Sequence, residues 1–178
     1  KGPLGTQALN EELQRLVQRK RFGVEVPPRP ANRRAPLLKG DKVIQTRNNY
    51  DKDVFNGDIG RIERVDAEDR AVVVDFDGRR AAYEFGELDE LQLAFAISVH
   101  KSQGSEYPCV IVPLAMEQYV LLQRNLLYTA VTRGRRLVVL VGQKRALAAA
   151  IRNQTVRARC SGLLERLRAG NKTASESF

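Results

Sequence analysis

Tryptophan is absent from this 178-residue chain, and the residue types that most often carry chemistry are scarce: one histidine, one methionine and two cysteines. Each shortage excludes something. Cys109 lies in an apolar run and Cys160 in a distant polar stretch, so neither a disulfide framework nor a zinc cluster is expected, and both read as inert thiols of a reducing compartment. No other metal site is expected. No apolar run approaches the roughly 20 residues that span a bilayer, and no charged-then-apolar opening reads as a secretion signal, so the expectation is a cytoplasmic protein with no membrane partner. Also missing is any G-x-x-x-x-G-K-[ST] phosphate loop. Lys101-Ser102 supplies the terminal pair, but Ile97-Ser98-Val99-His100 before it lacks the glycines that a backbone phosphate cradle needs.

What is abundant is positive charge, +9 over the whole chain, and its distribution is uneven. Residues 1–36 carry 8 basic and 3 acidic residues, residues 37–92 carry 9 and 14, and residues 93–178 carry 13 and 4, for nets of +5, −5 and +9. Clustered cations near phosphates release counterions, so the outer blocks are the better candidates for gripping a polyanion. For any single Lys or Arg, plain solvation of the surface is an equally good account.

Apolar Leu9, Leu13, Leu16 and Val17 fall at helical spacing and predict an opening helix with one apolar face. From Arg19 to Pro36 the periodicity dissolves among prolines and charges, which reads as a mobile connector. Residues 37–92 change to short β-like runs, KVIQTR, IGRIERV, AVVVDF and AAYEF, and Asp77-Gly78 between the last two is a type I′ hairpin turn. Four or five short antiparallel strands in so few residues bury their alternate apolar side chains by curling into a small SH3-like barrel. Residues 93–154 read as strand, short helix, strand, helix, strand, helix: AFAIS, VHKSQG, CVIVPL, LLQRNLLYTAVTR, RLVVLVG and QKRALAAAIRN. The consecutive apolar residues of the last two strands predict a parallel sheet covered on both faces. Residues 155–178 add one more weak helical pattern and a polar tail. The fold class is therefore α/β with a small all-β insert.

Two stretches look able to carry chemistry. Ser98-Val99-His100-Lys101-Ser102-Gln103-Gly104-Ser105-Glu106 follows a predicted buried strand, at the kind of sheet edge where α/β proteins bind ligands. It offers N–H groups, hydroxyls and a Lys to phosphates, and Glu106 as an acceptor for a sugar hydroxyl; from composition alone, a plain polar loop with one solvated histidine is the better account, since such loops are common. Tyr128-Thr129-Ala130-Val131-Thr132-Arg133-Gly134-Arg135-Arg136 ends the long helix. Arg133 either complements the helix terminus, for about 0.3–1 kcal/mol, or serves as an arginine finger, for roughly 10³–10⁵ in rate. Spacing alone leaves both open.

AFAISVHKSQGSEYPCVIVPL together with NLLYTAVTRGRRLVVLVG resembles motifs V and VI of superfamily 1 helicases, and HKSQGSE with YTAVTRG resembles the RecD-like branch. GDKVIQTRNNYDKDVFNGDIGRI resembles the start of that branch's SH3-like insert, and KGPLGTQALNEELQ the segment after its motif IV strand. Three blocks in the right order, over roughly residues 1–142, make the resemblance specific.

The resemblance implies a partial RecA-like second motor domain, of the P-loop NTPase type, with the barrel inserted. Its segments would be 1–36 as the start of that domain and connector, 37–92 as the insert, 93–154 as the remainder of the domain, and 155–178 as a carboxy-terminal helix and tail. Arg133 would be the catalytic finger at the ATP γ-phosphate, with Gly104, Glu106 and Lys1 also at the nucleotide. Ser98, His100, Lys101 and Ser102 would line a single-stranded DNA path joined by Asn48, Asn49 and Tyr50 of the barrel, with Gln103 coupling the two sites. A turn built from asparagines also explains Asn48 and Asn49 without any function. ATP and Mg²⁺ would serve the full-length enzyme, but this sequence holds neither phosphate loop nor Mg²⁺ carboxylate, so the chain alone is expected to be inactive. The expected partners are single-stranded DNA, an amino-terminal motor domain and other nuclease-helicase subunits. The implied function is 5′-to-3′ unwinding in bacterial recombination and repair, as in exodeoxyribonuclease V alpha-type enzymes. Two rivals stay open: a non-catalytic nucleic-acid-binding module read by the barrel, and the motor of a conjugative relaxase.

Overall fold

The structure, a computed structural model, describes residues 2–27 and 35–154. It opens on helix α1, Thr6–Phe22, so the helix reaches past Arg19 into what the prolines and charges suggest is connector. Arg19, Lys20 and Arg21 fill its last turn, where cations complement the carbonyl end of the helix dipole. The stripe it buries is not the expected one. Leu16 is exposed, and Asn10, Gln14 and Gln18 are the buried side chains, because the groups facing them are a carboxylate and backbone carbonyls rather than hydrocarbon.

Strands β1 (Lys42–Gln45), β2 (Ile59–Asp66), β3 (Ala71–Phe76), β4 (Arg79–Glu84) and β5 (Leu91–Leu93) form one antiparallel sheet in the order β4-β3-β2-β1-β5. The Asp77-Gly78 hairpin is present as read: Phe76 faces Arg79 across the turn and both turn residues have positive φ, 51° and 94°, as a type I′ turn requires. Strand β3 alternates strictly, with Val72, Val74 and Phe76 buried. They meet Val43, Val54, Ile62, Ala81, Tyr83 and Leu91 in one core. The sheet curls far enough for the Tyr83 hydroxyl on β4 to donate to Gln45 Oε1 on β1 at 3.0 Å, across two intervening strands.

The rest is smaller than the pattern suggests. β6 (Tyr107–Leu114) and β7 (Gly134–Gly142) pair in parallel. A short 3-10 segment (Met116–Leu121), α2 (Arg124–Val131) and α3 (Lys144–Arg152) follow β6 and β7, and Leu114, Leu122, Ala146 and Ala150 make their common core. The expected strand AFAIS does not form. Leu91–Leu93 is drawn into the barrel sheet instead, continued by Ala94 N–H donating to the Lys42 carbonyl. Both backbone groups of Ala96 are then taken by the Asn10 side chain, leaving no ladder for a third parallel strand. The expectation of two covered faces is also corrected: Ile111, Leu137 and Val141 are 65%, 54% and 54% exposed. The weak helical pattern of 155–178 and the core of the connector, residues 28–34, lie outside the described residues.

Candidate functional site

The stretch Val99–Gly104 is a run of tight turns, not a short helix. Its own polar groups organise it. Ser102 N–H donates to the Ser98 and Val99 carbonyls, Gln103 N–H to His100 and Ser105 N–H to Ser102. Ser102 Oγ donates to the Val99 carbonyl at 2.7 Å and is buried, so this hydroxyl holds the turn and does not face solvent. Lys101 N–H donates to Ser98 Oγ, and its ammonium to Gln92 Oε1 on β5 at 3.0 Å. His100, Lys101 and Gln103 are exposed, and Ser98 is half-buried beside them. Gly104 then takes φ 81°, a left-handed turn that a side chain opposes, and swings Ser105 and Glu106 toward the end of α2.

There the two chemistry-bearing stretches meet. Tyr107 and Gly134 pair at the start of β6 and β7, and Tyr107 N–H donates to the Arg133 carbonyl at 2.8 Å. Arg133 Nη1 donates to the Ser105 carbonyl at 3.2 Å, Nε to the Thr129 carbonyl at 3.1 Å and Nη2 to Thr132 Oγ1 at 3.3 Å. The bond to Thr129 is the helix-capping arrangement in place. Glu106 pairs with Arg135 at 3.3 Å, both well exposed. The corner therefore gathers Gly104, Ser105, Glu106, Arg133 and Arg135 within reach of solvent. It lies at the amino-terminal ends of β6 and β7, not beyond the carboxyl end of a preceding strand, because that strand is not formed.

The barrel residues read as DNA contacts form a separate loop. Asn49 exchanges both backbone bonds with Val54, accepts from Lys52 N–H and donates to Glu90 Oε2. Asn48 Oδ1 accepts from Asn56 N–H at 2.9 Å. Both amides thus hold a turn together, while Tyr50 is 76% exposed and meets Phe55 edge-on at 6.0 Å. Where barrel and corner touch, the ammonium of Lys42 stands 5.7 Å over the Tyr107 ring. Burial, and next the Arg61 guanidinium beside it, hold the Lys42 pKa below its ordinary value. Lys1 lies outside the described residues. Among the described residues no three His, Cys, Asp or Glu side chains gather as a metal site.

Composition and motif spacing did not single out Ser105, whose carbonyl anchors the arginine, or Arg135, which neutralises Glu106. They also passed over Asn10, Gln14, Gln18 and Asp41. The one available signal was the four-residue spacing of the three amides along α1, which marks a shared face.

Residues 93–141 match the family described as UvrD-like helicase C-terminal domain, and residues 9–76 match the ATP-dependent RecD-like DNA helicase SH3 domain. The chain belongs with the RecD-like superfamily 1 helicases. Among curated relatives, the ATP-dependent RecD2 DNA helicase of Deinococcus radiodurans is 40% identical over 95% of this chain. The RecBCD enzyme subunit RecD of Mycolicibacterium smegmatis is 39% identical over 72% of it. The RecD-like chain spans 22% of the length of each. Among solved structures, Pif1 helicase from Bacteroides in complex with ADP-AlF3 and ssDNA aligns over 91% of the RecD-like chain and 43% of its own, with TM-score 0.56 at 19% identity. That likeness is one of fold: a RecA-like motor architecture, to which the family match adds the SH3-like domain.

Proposed function

We propose that this chain is the second motor domain, with its barrel insert, of an ATP-driven helicase that translocates 5′ to 3′ on single-stranded DNA. The observation that carries the reading is the corner where Arg133 meets the Gly104–Glu106 turn. Two guanidiniums, a glycine turn open to solvent and one carboxylate suit a nucleoside triphosphate, with arginines for the phosphates and an acceptor for the ribose. In this reading Arg133 leaves the Ser105 and Thr129 carbonyls for the γ-phosphate. Glu106 accepts from a ribose hydroxyl, and Lys1 stands near the phosphates. ATP supplies the phosphoryl group whose transfer drives the motor, with its Mg²⁺ held outside this chain.

The segments 1–36, 37–92, 93–154 and 155–178 then serve as domain start with connector, insert, domain remainder and carboxy-terminal tail. Exposed His100 and Lys101, with Ser98 and the turn held by Ser102, form the DNA path, and Gln103 lies between path and nucleotide. Asn49 and Asn48 shape the loop that presents Tyr50 to a base. Phosphates are gripped without reading sequence. The work belongs to recombination and repair in the bacterial cytoplasm. The likeness to a subunit of the RecBCD enzyme supports companion subunits beside the amino-terminal motor domain.

The sequence contains no phosphate loop, so the chain alone is proposed to bind without hydrolysing. The experiment is binding of fluorescent oligo-dT across a salt series, with ATP hydrolysis assayed on the same sample. Weak binding whose log K falls linearly with log salt, with no hydrolysis, supports the reading. Hydrolysis by a clean preparation, or binding indifferent to salt, overturns it.

A further inference from the structure

Helix α1 buries amides where a helix ordinarily buries hydrocarbon. Asn10, Gln14 and Gln18, one turn apart, are 8%, 1% and 2% exposed. A buried polar group left without a partner costs about 1–3 kcal/mol, and here each amide nitrogen is committed. Asn10 Nδ2 donates to the Ala96 carbonyl and Asn10 Oδ1 accepts from the Ala96 N–H, both at 2.8 Å. That is the paired exchange a neighbouring β-strand would make. Gln14 Nε2 donates to the Pro36 carbonyl at 2.8 Å and to Asp41 Oδ2. Gln18 Nε2 donates to the Lys39 carbonyl at 3.0 Å and to Asp41 Oδ1 at 2.7 Å. Asp41, fully buried, also accepts from Leu38 N–H and stands immediately before β1.

One face of one helix therefore grips two separate parts of the molecule. Gln14 and Gln18 hold the base of the barrel, at Pro36, Lys39 and Asp41. Asn10 holds Ala96, two residues ahead of the Ser98–Glu106 loop. The seat is close as well as polar: a Cβ on Gly40 would lie 2.3 Å from the Phe22 ring. Apolar contacts allow two surfaces to slide or turn past one another, whereas these hydrogen bonds are directional and lie in a region of low dielectric that strengthens them. The barrel also touches the loop directly, through Lys101 on Gln92, and the start of β6 through Lys42 over Tyr107.

We propose that Asn10, Gln14 and Gln18 are positioning residues: together they make α1 a polar strut that holds the barrel and the Ser98–Glu106 loop in one relative orientation, so that displacing one displaces the other. The assignment stands on this geometry and is independent of what the loop binds.

Pulsed dipolar spectroscopy on this chain tests it, in a background of Cys109→Ser and Cys160→Ser. Spin labels at Glu12→Cys and Glu68→Cys report helix against barrel, and labels at Glu12→Cys and His100→Cys report helix against loop. With the amides intact each pair gives one narrow distance. Gln14→Ala with Gln18→Ala broadens the helix-to-barrel distance, and Asn10→Ala broadens the helix-to-loop distance. Asn10→Asp, which keeps the acceptor for the Ala96 N–H, broadens the latter less. If the double alanine variant does not fold, Gln18→Met keeps the volume without the donor and is read with the same labels. Distances that stay narrow while the melting temperature falls would show that the amides contribute stability alone, and would overturn the proposal.

Discussion

The guanidinium of Arg133 rests on the carbonyl oxygen of Ser105, 3.2 Å away and 28 residues earlier in the chain. A neutral carbonyl is a weaker acceptor than a phosphate oxygen, whose charge-assisted bond is roughly twice as strong. The contact is therefore one that an anionic acceptor could displace. In the chain by itself the contact is only a tie, so Arg133→Ala is expected to cost about 1 kcal/mol, one or two net hydrogen bonds. Urea unfolding measures this; a loss several times larger would make Arg133 chiefly a structural residue.

Tyr83 closes the barrel core. Burial first, and then the nearby carboxylates of Glu90, Glu87 and Asp58, push its phenol pKa well above the ordinary 10.0. A group whose pKa is raised on folding stabilises the fold fully below its unfolded pKa and loses that contribution as pH climbs beyond it. Stability is thus expected to decline above about pH 10 in the wild type. Tyr83→Phe removes that decline and costs about 1–3 kcal/mol at neutral pH, because Gln45 Oε1 loses its donor in the core. Thermal melts of both proteins across alkaline pH are the check.

Glu87 gives the opposite sign. The Lys52 ammonium at 2.9 Å, and next the Glu84 N–H, hold its carboxyl below the ordinary 4.5. Its contribution is present above that unfolded value and disappears as pH falls through the lowered one. Lys52→Met should flatten this acid-side loss while changing little on the alkaline side, as a pH series of melting temperatures would show.

Gly60 is needed for space. A Cβ there would lie 2.6 Å from Val74 Cγ1 and 2.8 Å from the Asp75 carbonyl oxygen, and the latter is backbone that cannot rotate away. Gly60→Ala is expected to cost about 1–3 kcal/mol by overpacking. Circular dichroism melts would register it, and an unchanged midpoint would mean that the sheet yields there.

Where local chemistry decides structure, the residues were readable in advance. Asp77-Gly78 makes its turn from its own backbone preference, β3 shows its alternation, and the Ser98–Glu106 and Tyr128–Arg136 stretches carry motifs dense enough to be matched at a distance. What stayed hidden depends on partners remote in sequence. Ala94–Ser98 looks like a strand, but Leu91–Leu93 is pulled toward β1 and Ala96 toward Asn10, 86 residues away. The face of α1 was misread for the same reason. Leucines at helical spacing predict a buried stripe unless something polar waits opposite, and Asp41 is visible as such only after the chain has folded. The apolar runs of β6 and β7 do announce their parallel pairing, but not its register, Tyr107 on Gly134, which is what brings Arg133 to Ser105.

The role proposed for Arg133 at a nucleotide phosphate can be measured in a protein that joins this chain to an amino-terminal motor domain bearing a phosphate loop. DNA-stimulated ATP hydrolysis by Arg133→Ala is compared with wild type at saturating nucleotide. The expected result is a fall in kcat on the order of 10³-fold or more, as for loss of an arginine finger, with single-strand binding retained. An unchanged kcat would contradict it and leave Arg133 as a helix cap.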